Sequence, residues 1–257
     1  MKIWCQSTGA LSKDAVWNFY EQSLRRHIQE VVRPGTVVDL HGTDFTIPGL
    51  ARHQSSVNIA QSQFIRNAIR AEQQGYDAFV LLNTSDPGSH EIRELVNLPV
   101  VFVTETCLHL ACQLADKFSF FTNNEDILAR LNQLAERHGM THRIVPGGCL
   151  DLTGYSNIME MYQNPKQHVD SVVRVIREIG ARGANLLFPA AGALSQWLVD
   201  NNLQEVDGIV IMDIYGTALK TAELMVDLKA IGVDRSPRYY SSPQPDVLEA
   251  LKKMYGV

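Results

Sequence analysis

The stretch Ala78-Phe79-Val80-Leu81-Leu82-Asn83-Thr84-Ser85-Asp86-Pro87-Gly88 joins an apolar run of strand length to small polar residues and a Pro-Gly pair. A second stretch, Ala184-Asn185-Leu186-Leu187-Phe188-Pro189-Ala190-Ala191-Gly192, repeats this order. Each predicts a β-strand that turns directly into an α-helix. Open α/β sheets bind ligands at such strand ends, because free N–H groups and the positive end of the helix dipole face the crevice. We therefore expect both turns to face one pocket.

Apolar runs of strand length alternate with amphipathic stretches along the whole chain, which predicts parallel βαβ units and an α/β fold. The expected strands are residues 2–6, 36–40, 78–82, 100–103, 118–121, 142–145, 184–188 and 208–212. Four helix-start signals lie between them: Ser12, Asp86-Pro87, Asn124-Glu125-Asp126 and Thr217. A short helix is expected over residues 246–254.

Composition excludes several classes of protein. The 257 residues carry a formal net charge of −5 without a long charged run, so nucleic-acid binding and a membrane-surface patch are not expected. No window approaches the roughly 18 to 20 apolar residues of a membrane span, and Met1-Lys2-Ile3-Trp4-Cys5 enters a strand directly, so a cytoplasmic location is expected. The four cysteines lack zinc-finger spacing, and Cys107 and Cys112 on an apolar helix are interpreted as core residues.

Motifs for common cofactors are also missing. The chain contains no Gly-x-Gly-x-x-Gly after a strand, no Gly-Lys-Ser/Thr, no His-Glu-x-x-His and no Gly-x-Ser-x-Gly. We therefore expect a pocket that uses neither a cofactor nor a metal.

The two quoted stretches, with Gly75-Tyr76-Asp77 before the first and Leu98-Pro99-Val100-Val101-Phe102-Val103 after its helix, resemble the aspartate/glutamate/hydantoin racemase superfamily. The resemblance implies two similar lobes, each a mostly parallel sheet flanked by helices, with the active site between them. It also implies a discontinuous first lobe of residues 1–103 and 207–257, a second lobe of residues 104–206, a small-molecule substrate and a homo-oligomer.

Members of that superfamily that racemise carry one cysteine at each of the two turns, so that two thiols flank the substrate's α-carbon. Here Asn83 stands in place of the first cysteine and Ala190 in place of the second. Neither side chain can move a proton as a thiol does. The resemblance thus implies the pocket and removes the usual mechanism.

The first turn offers neutral hydrogen-bond groups instead of a thiol. Asn83, Thr84 and Ser85 supply an amide and two hydroxyls beside the start of a helix, an arrangement that can hold a carboxylate or an enolate oxygen. Arylmalonate decarboxylase, in the same superfamily, is similar at this turn, and the likeness implies that Thr84 and Ser85 contact the substrate. The alternative is that Ser85 and Asp86 only cap a helix.

Other candidates lie at the remaining strand ends. His41, Glu105 and Asp213 are candidate acids or bases, and a histidine titrates near neutrality; for His41 the alternative is a loop histidine bonded to backbone. The side chains of the second turn carry no acid, base or nucleophile, so this turn can contact a substrate only through its backbone groups and its shape. The further candidates for substrate contact are Gln6, Ser7, Thr8, Thr122, Asn123, Asn124, Ala190, Ala191 and Tyr215; Asn124 could equally be a helix cap.

These observations predict a cofactor-independent enzyme for a small carboxylate, carbonyl or hydantoin-like substrate. It would stabilise an enolate or oxyanion between two lobes, as an isomerase or lyase that does not use two-cysteine racemisation. Two alternatives stay open: a hydrolase of a small cyclic amide or ester on the same fold, and a catalytically inactive protein that binds a small ligand.

Overall fold

The computed structural model describes residues 1–13, 17–50, 53–150 and 155–257, and contains two sheets flanked by helices. The first sheet is parallel, with strands in the order β2-β1-β3-β4. The second has the order β6-β5-β7-β9-β8, in which β8 alone is antiparallel to its neighbour. The strands are β1 Lys2–Ser7, β2 Val37–His41, β3 Ala78–Leu82, β4 Val100–Phe102, β5 Phe118–Thr122, β6 Gly148–Cys149, β7 Leu186–Pro189, β8 Glu205–Val206 and β9 Ile209–Ile211.

Helices connect the strands, as the alternating pattern predicts. They are α1 Asn18–Val31, α2 Gln54–Gln73, α3 Ser89–Leu95, α4 Val103–Leu114, α5 Glu125–Arg137, α6 Tyr155–Gln163, α7 Pro165–Gly180, α8 Gly192–Asp200, α9 Ile214–Ala230 and α10 Pro245–Met254. The two-lobed α/β architecture is confirmed. Within the described ranges, no helix combines the length and apolar character needed to cross a membrane.

Strand residues alternate between a core shared by the lobes and a separate core behind each sheet, because successive side chains of a strand point to opposite faces. In β3, Val80 and Leu82 belong to the shared core, whereas Phe79 and Leu81 pack behind the first sheet. In the second sheet, Phe188 of β7 contributes to the shared core. The lobes are therefore joined by continuous apolar packing above which a site can form.

The segment 209–211 differs from the predicted division into lobes. The predicted division places residues 207–257 in the first lobe, but β9 pairs with β7 in the second sheet, and Met212 N–H donates to the Leu187 carbonyl at 2.9 Å. The chain returns to the first lobe at α9, which packs against α1 and β3. The rest of the predicted division stays a prediction.

One predicted strand and several helix starts are wrong. Residues 141–143 form a 3₁₀ turn, and of the predicted strand 142–145 only Ile144 pairs with β5, in an isolated parallel bridge to Phe118. The ladder resumes at β6, because Pro146 between them has no N–H to donate. Ser12 has φ +60° and lies ahead of α1. Thr217 lies within α9, whose N-cap is Asp213. The α3 helix begins two residues after the predicted Asp86-Pro87 start, at Ser89.

Candidate functional site

A cavity of about 330 Å³ lies where the ends of β3 and β7 meet between the lobes. Both quoted turns line it, through residues 82–85 and 191–193. The other described lining residues come from both lobes: Thr8, Trp17, Phe19, Tyr20, Ile47, Pro48, Gly49, Leu50, Asn123, Asn124, Ile127, Ile158, Met159, Tyr162 and Tyr215.

The first turn is held rigid by its own hydrogen bonds. The Asn83 side-chain oxygen accepts from the Ser85 N–H at 2.8 Å. The Thr84 hydroxyl donates to the Ala190 carbonyl at 3.2 Å, which ties the first turn to the second. The hydroxyl of Thr104 donates to the Thr84 carbonyl at 2.7 Å. Two strand ends in different lobes are thereby fixed to each other at the cavity.

Two donors of the first turn are left for a ligand. Among the described residues, no partner contacts the Ser85 hydroxyl or the Asn83 amide nitrogen. Both residues are half-buried and line the cavity. A hydroxyl and an amide N–H2 group at this position can donate to a carbonyl or an enolate oxygen.

The second turn presents a helix N-terminus. No side chain caps α8, so the N–H groups of Gly192 and Ala193 lack intrahelical partners. Both residues line the cavity. The positive end of the helix dipole therefore favours negative charge that develops there.

The end of β5 contributes amides. Asn124 is the N-cap of α5, since its side-chain oxygen accepts from the Ile127 N–H at 2.9 Å, and its nitrogen donates to Asn123 at 3.3 Å. Both asparagines line the cavity, and the hydroxyl of Thr122 donates to the Ala190 carbonyl at 3.3 Å behind them. The capping interpretation of Asn124 is thus confirmed, while its side chain still faces the site.

Two of the three phenols among the described lining residues contact each other. The hydroxyls of Tyr20 and Tyr215 are 3.0 Å apart. Tyr215, on α9, was among the predicted contacts, whereas Tyr20 was not. Nothing in the sequence distinguishes Tyr20 from the other apolar residues of α1, because only tertiary packing brings its hydroxyl to the cavity. The same holds for the apolar wall that Trp17, Phe19 and Ile47 form.

His41 lies away from this cavity. Its ring stacks on Trp4 with centroids 3.6 Å apart, on the side of the first sheet that α2 covers. Burial lowers the pKa of its imidazole. Its Nε2 is buried and has no hydrogen-bond partner among the described residues.

Glu105 does not end a strand. It lies in the first turn of α4, where its carboxylate accepts two hydrogen bonds from Arg93 at 3.1 and 2.5 Å. Asp213 is the N-cap of α9 and accepts from the Gly216 N–H at 2.9 Å. Its other oxygen is 2.8 Å from Nε2 of His27, beside a second cavity of about 250 Å³. The three predicted acids or bases therefore do not converge on the main cavity.

Gln6 and Ser7 are completely buried and do not line the cavity. The Gln6 oxygen accepts from Asn67 at 2.8 Å, so this side chain organises the sheet interior. Of the predicted contacts, the structure brings together at the cavity Thr8, Asn83, Thr84, Ser85, Asn123, Asn124, Ala191 and Tyr215. Thr122 and Ala190 lie directly behind these.

The described lining contains no carboxylate, amine, guanidinium, imidazole or thiol. Burial raises the pKa of the Cys5 and Cys107 thiols, so both are protonated in the core. In the described part of the chain, no group of three or more His, Cys, Asp or Glu side chains could hold a metal ion. The described lining therefore offers neutral hydrogen-bond groups and helix N–H groups.

Comparisons with known proteins agree with this architecture. The family model described as Asp/Glu/Hydantoin racemase matches residues 18–221. A hydantoin racemase from Pseudomonas sp. (strain NS671) is 27% identical over 169 residues, which cover 62% of this chain and 62% of that protein. The match thus spans under two thirds of the length of that relative.

Two solved structures share the fold. Allantoin racemase from Klebsiella pneumoniae has a TM-score of 0.75 at 20% identity, covering 95% of this chain and 94% of its own. A mutant of arylmalonate decarboxylase in the liganded form has a TM-score of 0.60 at 15% identity, covering 93% of this chain and 96% of its own. At these identities the likeness establishes the two-lobed fold.

Proposed function

The chain belongs to the Asp/Glu/hydantoin racemase family, and we propose that it is a cofactor-independent enzyme for a small hydantoin-like, carbonyl or carboxylate substrate. The reaction passes through an enolate or oxyanion held between the lobes. One observation carries the proposal: free neutral donors, the Ser85 hydroxyl and the Asn83 amide, meet the uncapped N-terminus of α8 in one cavity. Preorganised donors of this kind stabilise negative charge that develops in a transition state.

Within that range, the lining favours a neutral ring such as a hydantoin over a dicarboxylic amino acid. Two ionised carboxylates need compensating cations when they leave water, and no cationic side chain is among the described lining residues. A hydantoin presents carbonyl and N–H groups, which the asparagines and hydroxyls of the cavity can pair. The names of similar proteins, hydantoin racemase and allantoin racemase, point in the same direction.

The reaction is of isomerase or lyase type and does not use two thiols. Each oxyanion donor contributes about 3 to 4 kcal/mol to transition-state stability in enzymes where one has been removed. Several donors around one oxygen can therefore activate an α-proton or a carboxyl group that is already acidic. Acid or base roles for His41, Glu105 and Asp213, a homo-oligomeric state and a cytoplasmic location stay predictions.

A second candidate function is ligand binding without turnover. The observation that favours it is the lack of any group with a pKa near neutrality among the described lining residues. General acid–base catalysis is most efficient with such a group. A cavity of neutral donors that has lost both thiols could bind a ring and leave it unchanged.

The test is proton NMR in D₂O with the purified protein and a panel of 5-substituted hydantoins, allantoin and arylmalonates. We expect one class to lose its α-proton signal to deuterium, or to yield a new skeleton, faster than in the protein-free sample. Ser85→Ala should lower kcat about 100-fold, because it removes one oxyanion donor. Ser241→Ala, at an exposed site in the C-terminal segment, is the control and should leave kcat unchanged.

The outcomes separate the two functions. Exchange or a new product in the wild type, with a deficit in Ser85→Ala alone, supports the enzyme. Line broadening of a probe that is never altered supports the binding protein. Turnover that is equal in wild type and Ser85→Ala would show that the first turn does not hold the enolate or oxyanion.

A further inference from the structure

Tyr20 and Tyr215, from two helices of the first lobe, form a hydroxyl pair at the cavity. Tyr20 comes from the first turns of α1 and Tyr215 from the first turn of α9. Both line the cavity, although only 7% and 2% of their surfaces are exposed. Their oxygens are 3.0 Å apart, so one hydroxyl donates to the other and a donor remains for a ligand.

The pair stands against the second turn. A methyl group on Gly192 would overlap the hydroxyl oxygen of Tyr215 and would lie 3.3 Å from that of Tyr20. Gly192 is the first residue of α8 and follows Ala191 in the turn. The phenols therefore lie beside the second turn, two residues along the chain from Ala190, where the family resemblance expects the second thiol. Ser85, whose hydroxyl is free to donate to a ligand, belongs to the first turn. A ligand between the two turns therefore contacts both Ser85 and the phenol pair.

We propose that Tyr215, with Tyr20 behind it, is the proton donor of this site, an inference that rests on the proposed function. The O–H bond of Tyr215 breaks, a C–H bond forms at the α-carbon, and the enolate's negative charge passes to the phenol oxygen. The Tyr20 hydroxyl donates a hydrogen bond to that phenolate. The enolate itself forms when a solvent hydroxide ion takes the α-proton of the bound ring and becomes water, and after the transfer water returns a proton to the Tyr215 phenolate and regenerates the hydroxide.

The surroundings keep the pair protonated until an enolate is present. Burial raises the pKa of Tyr20 to about 12, although its hydrogen bonds with Tyr215 and Ser7 lower it. Burial also raises the pKa of Tyr215 well above its ordinary value. The titratable groups nearest to the two phenols are Cys5 and Tyr162, which burial likewise keeps neutral. A phenol that stays protonated at and above neutral pH can donate a proton to carbon where no thiol is present.

The test measures α-proton exchange of 5-methylhydantoin and allantoin in D₂O by wild type, Tyr215→Phe and Tyr20→Phe. We expect Tyr215→Phe to lose at least 100-fold in kcat and Tyr20→Phe about tenfold, because proton donors contribute factors of this size. Probe affinity, read from line broadening, should stay within threefold. Tyr239→Phe alters an exposed phenol and should change neither quantity. Thermal unfolding of each variant confirms that it is folded.

A pH profile supplies an independent readout. With a phenol as donor, the pH dependence of the wild-type kcat should show no inflection between pH 6 and 8.5, whereas an imidazole would produce one. An inflection near pH 6 to 7, or Tyr215→Phe within threefold of wild-type kcat, overturns the phenol assignment and leaves the enzyme proposal intact. A wild type that binds both probes but alters neither overturns the enzyme proposal and the phenol assignment together.

Discussion

At the scale of single residues, Asp86 links the first turn to a helix that is distant in sequence. Its carboxylate accepts from the Thr104 N–H at 3.1 Å and the Glu105 N–H at 2.7 Å, so it caps α4. It reaches them with a φ of +45°, in the left-handed region that non-glycine residues seldom adopt. This strained backbone therefore holds Ser85, which precedes Asp86, in a fixed position relative to the N-terminus of α4.

Asp86 also makes the stability of the fold depend on pH. Burial raises its pKa to about 7, although the two N–H groups act in the opposite direction. Since the folded state binds this proton more tightly than the unfolded state, the free energy of unfolding falls as pH rises from about 4 to about 7. Asp86→Asn should remove that dependence, on the order of 4 kcal/mol, because asparagine is neutral and tolerates φ > 0.

Urea denaturation of wild type and Asp86→Asn at pH 5 and pH 8 measures this difference. We expect the wild type to be the more stable of the two at pH 5 and to lose that advantage at pH 8. Asp116→Asn, at a side chain 82% exposed, should leave the pH dependence of the wild type unchanged. Parallel curves for wild type and Asp86→Asn would contradict the assignment.

At the scale of elements, the sequence predicted the strands that position the site and the turns that follow them. Apolar runs bounded by turn residues identify β3 and β7 because both strands are buried on both faces. The helix start at Asp86-Pro87 failed for a different reason. The partner of Asp86 is the N-terminus of α4, and a contact between segments that are distant along the chain leaves no local signal.

The same limit applies to the site. Asn83, Thr84 and Ser85 could be predicted, because a polar turn after a buried strand has a local signature. Tyr20 could not, since only the packing of α1 against α9 brings its hydroxyl to the cavity. His41, Glu105 and Asp213 were chosen by residue type at a strand end, and each instead pairs or stacks with a neighbour that spacing does not reveal.

The close packing of Gly192, at the start of α8, against the Tyr215 hydroxyl can be tested by substitution. Gly192→Ala should lower the free energy of unfolding by about 1 to 3 kcal/mol, because the added methyl group overlaps the Tyr215 hydroxyl. In a Tyr215→Phe background the same substitution should cost much less, since the overlapping oxygen is gone. Chemical denaturation of the four proteins in this double-mutant cycle gives the coupling energy. Additive effects would mean that the two side chains do not compete for space.

At the scale of the whole molecule, polar contacts behind the main cavity hold the lobes in register. The Ser23 hydroxyl of α1 donates to Asp200 of α8 at 2.6 Å, and Gln196 of α8 donates to Ser23 at 2.9 Å. His27 of α1 contacts Gln196 at 3.2 Å and Asp213 at 2.8 Å. Because α1 and α8 also line the main cavity, this cluster fixes the distance between its walls.

The contribution of His27 to the contact between the lobes, and so to the free energy of unfolding, depends on pH. Burial disfavours its charged form, but the hydrogen bond and negative charge of Asp213 prevail and raise the pKa of His27 above its usual 6.5. A raised folded pKa contributes stability that is complete below pH 6.5 and is lost as pH rises through the folded pKa. His27→Gln should therefore reduce the free energy of unfolding by about 2 kcal/mol at pH 5.5, the size of a hydrogen bond to a charged group, and by less at pH 8.5. Denaturation at both pH values, with the half-exposed His90→Gln as control, measures the change; an equal loss at pH 5.5 and pH 8.5 would show that packing, and not the imidazolium, holds the lobes together.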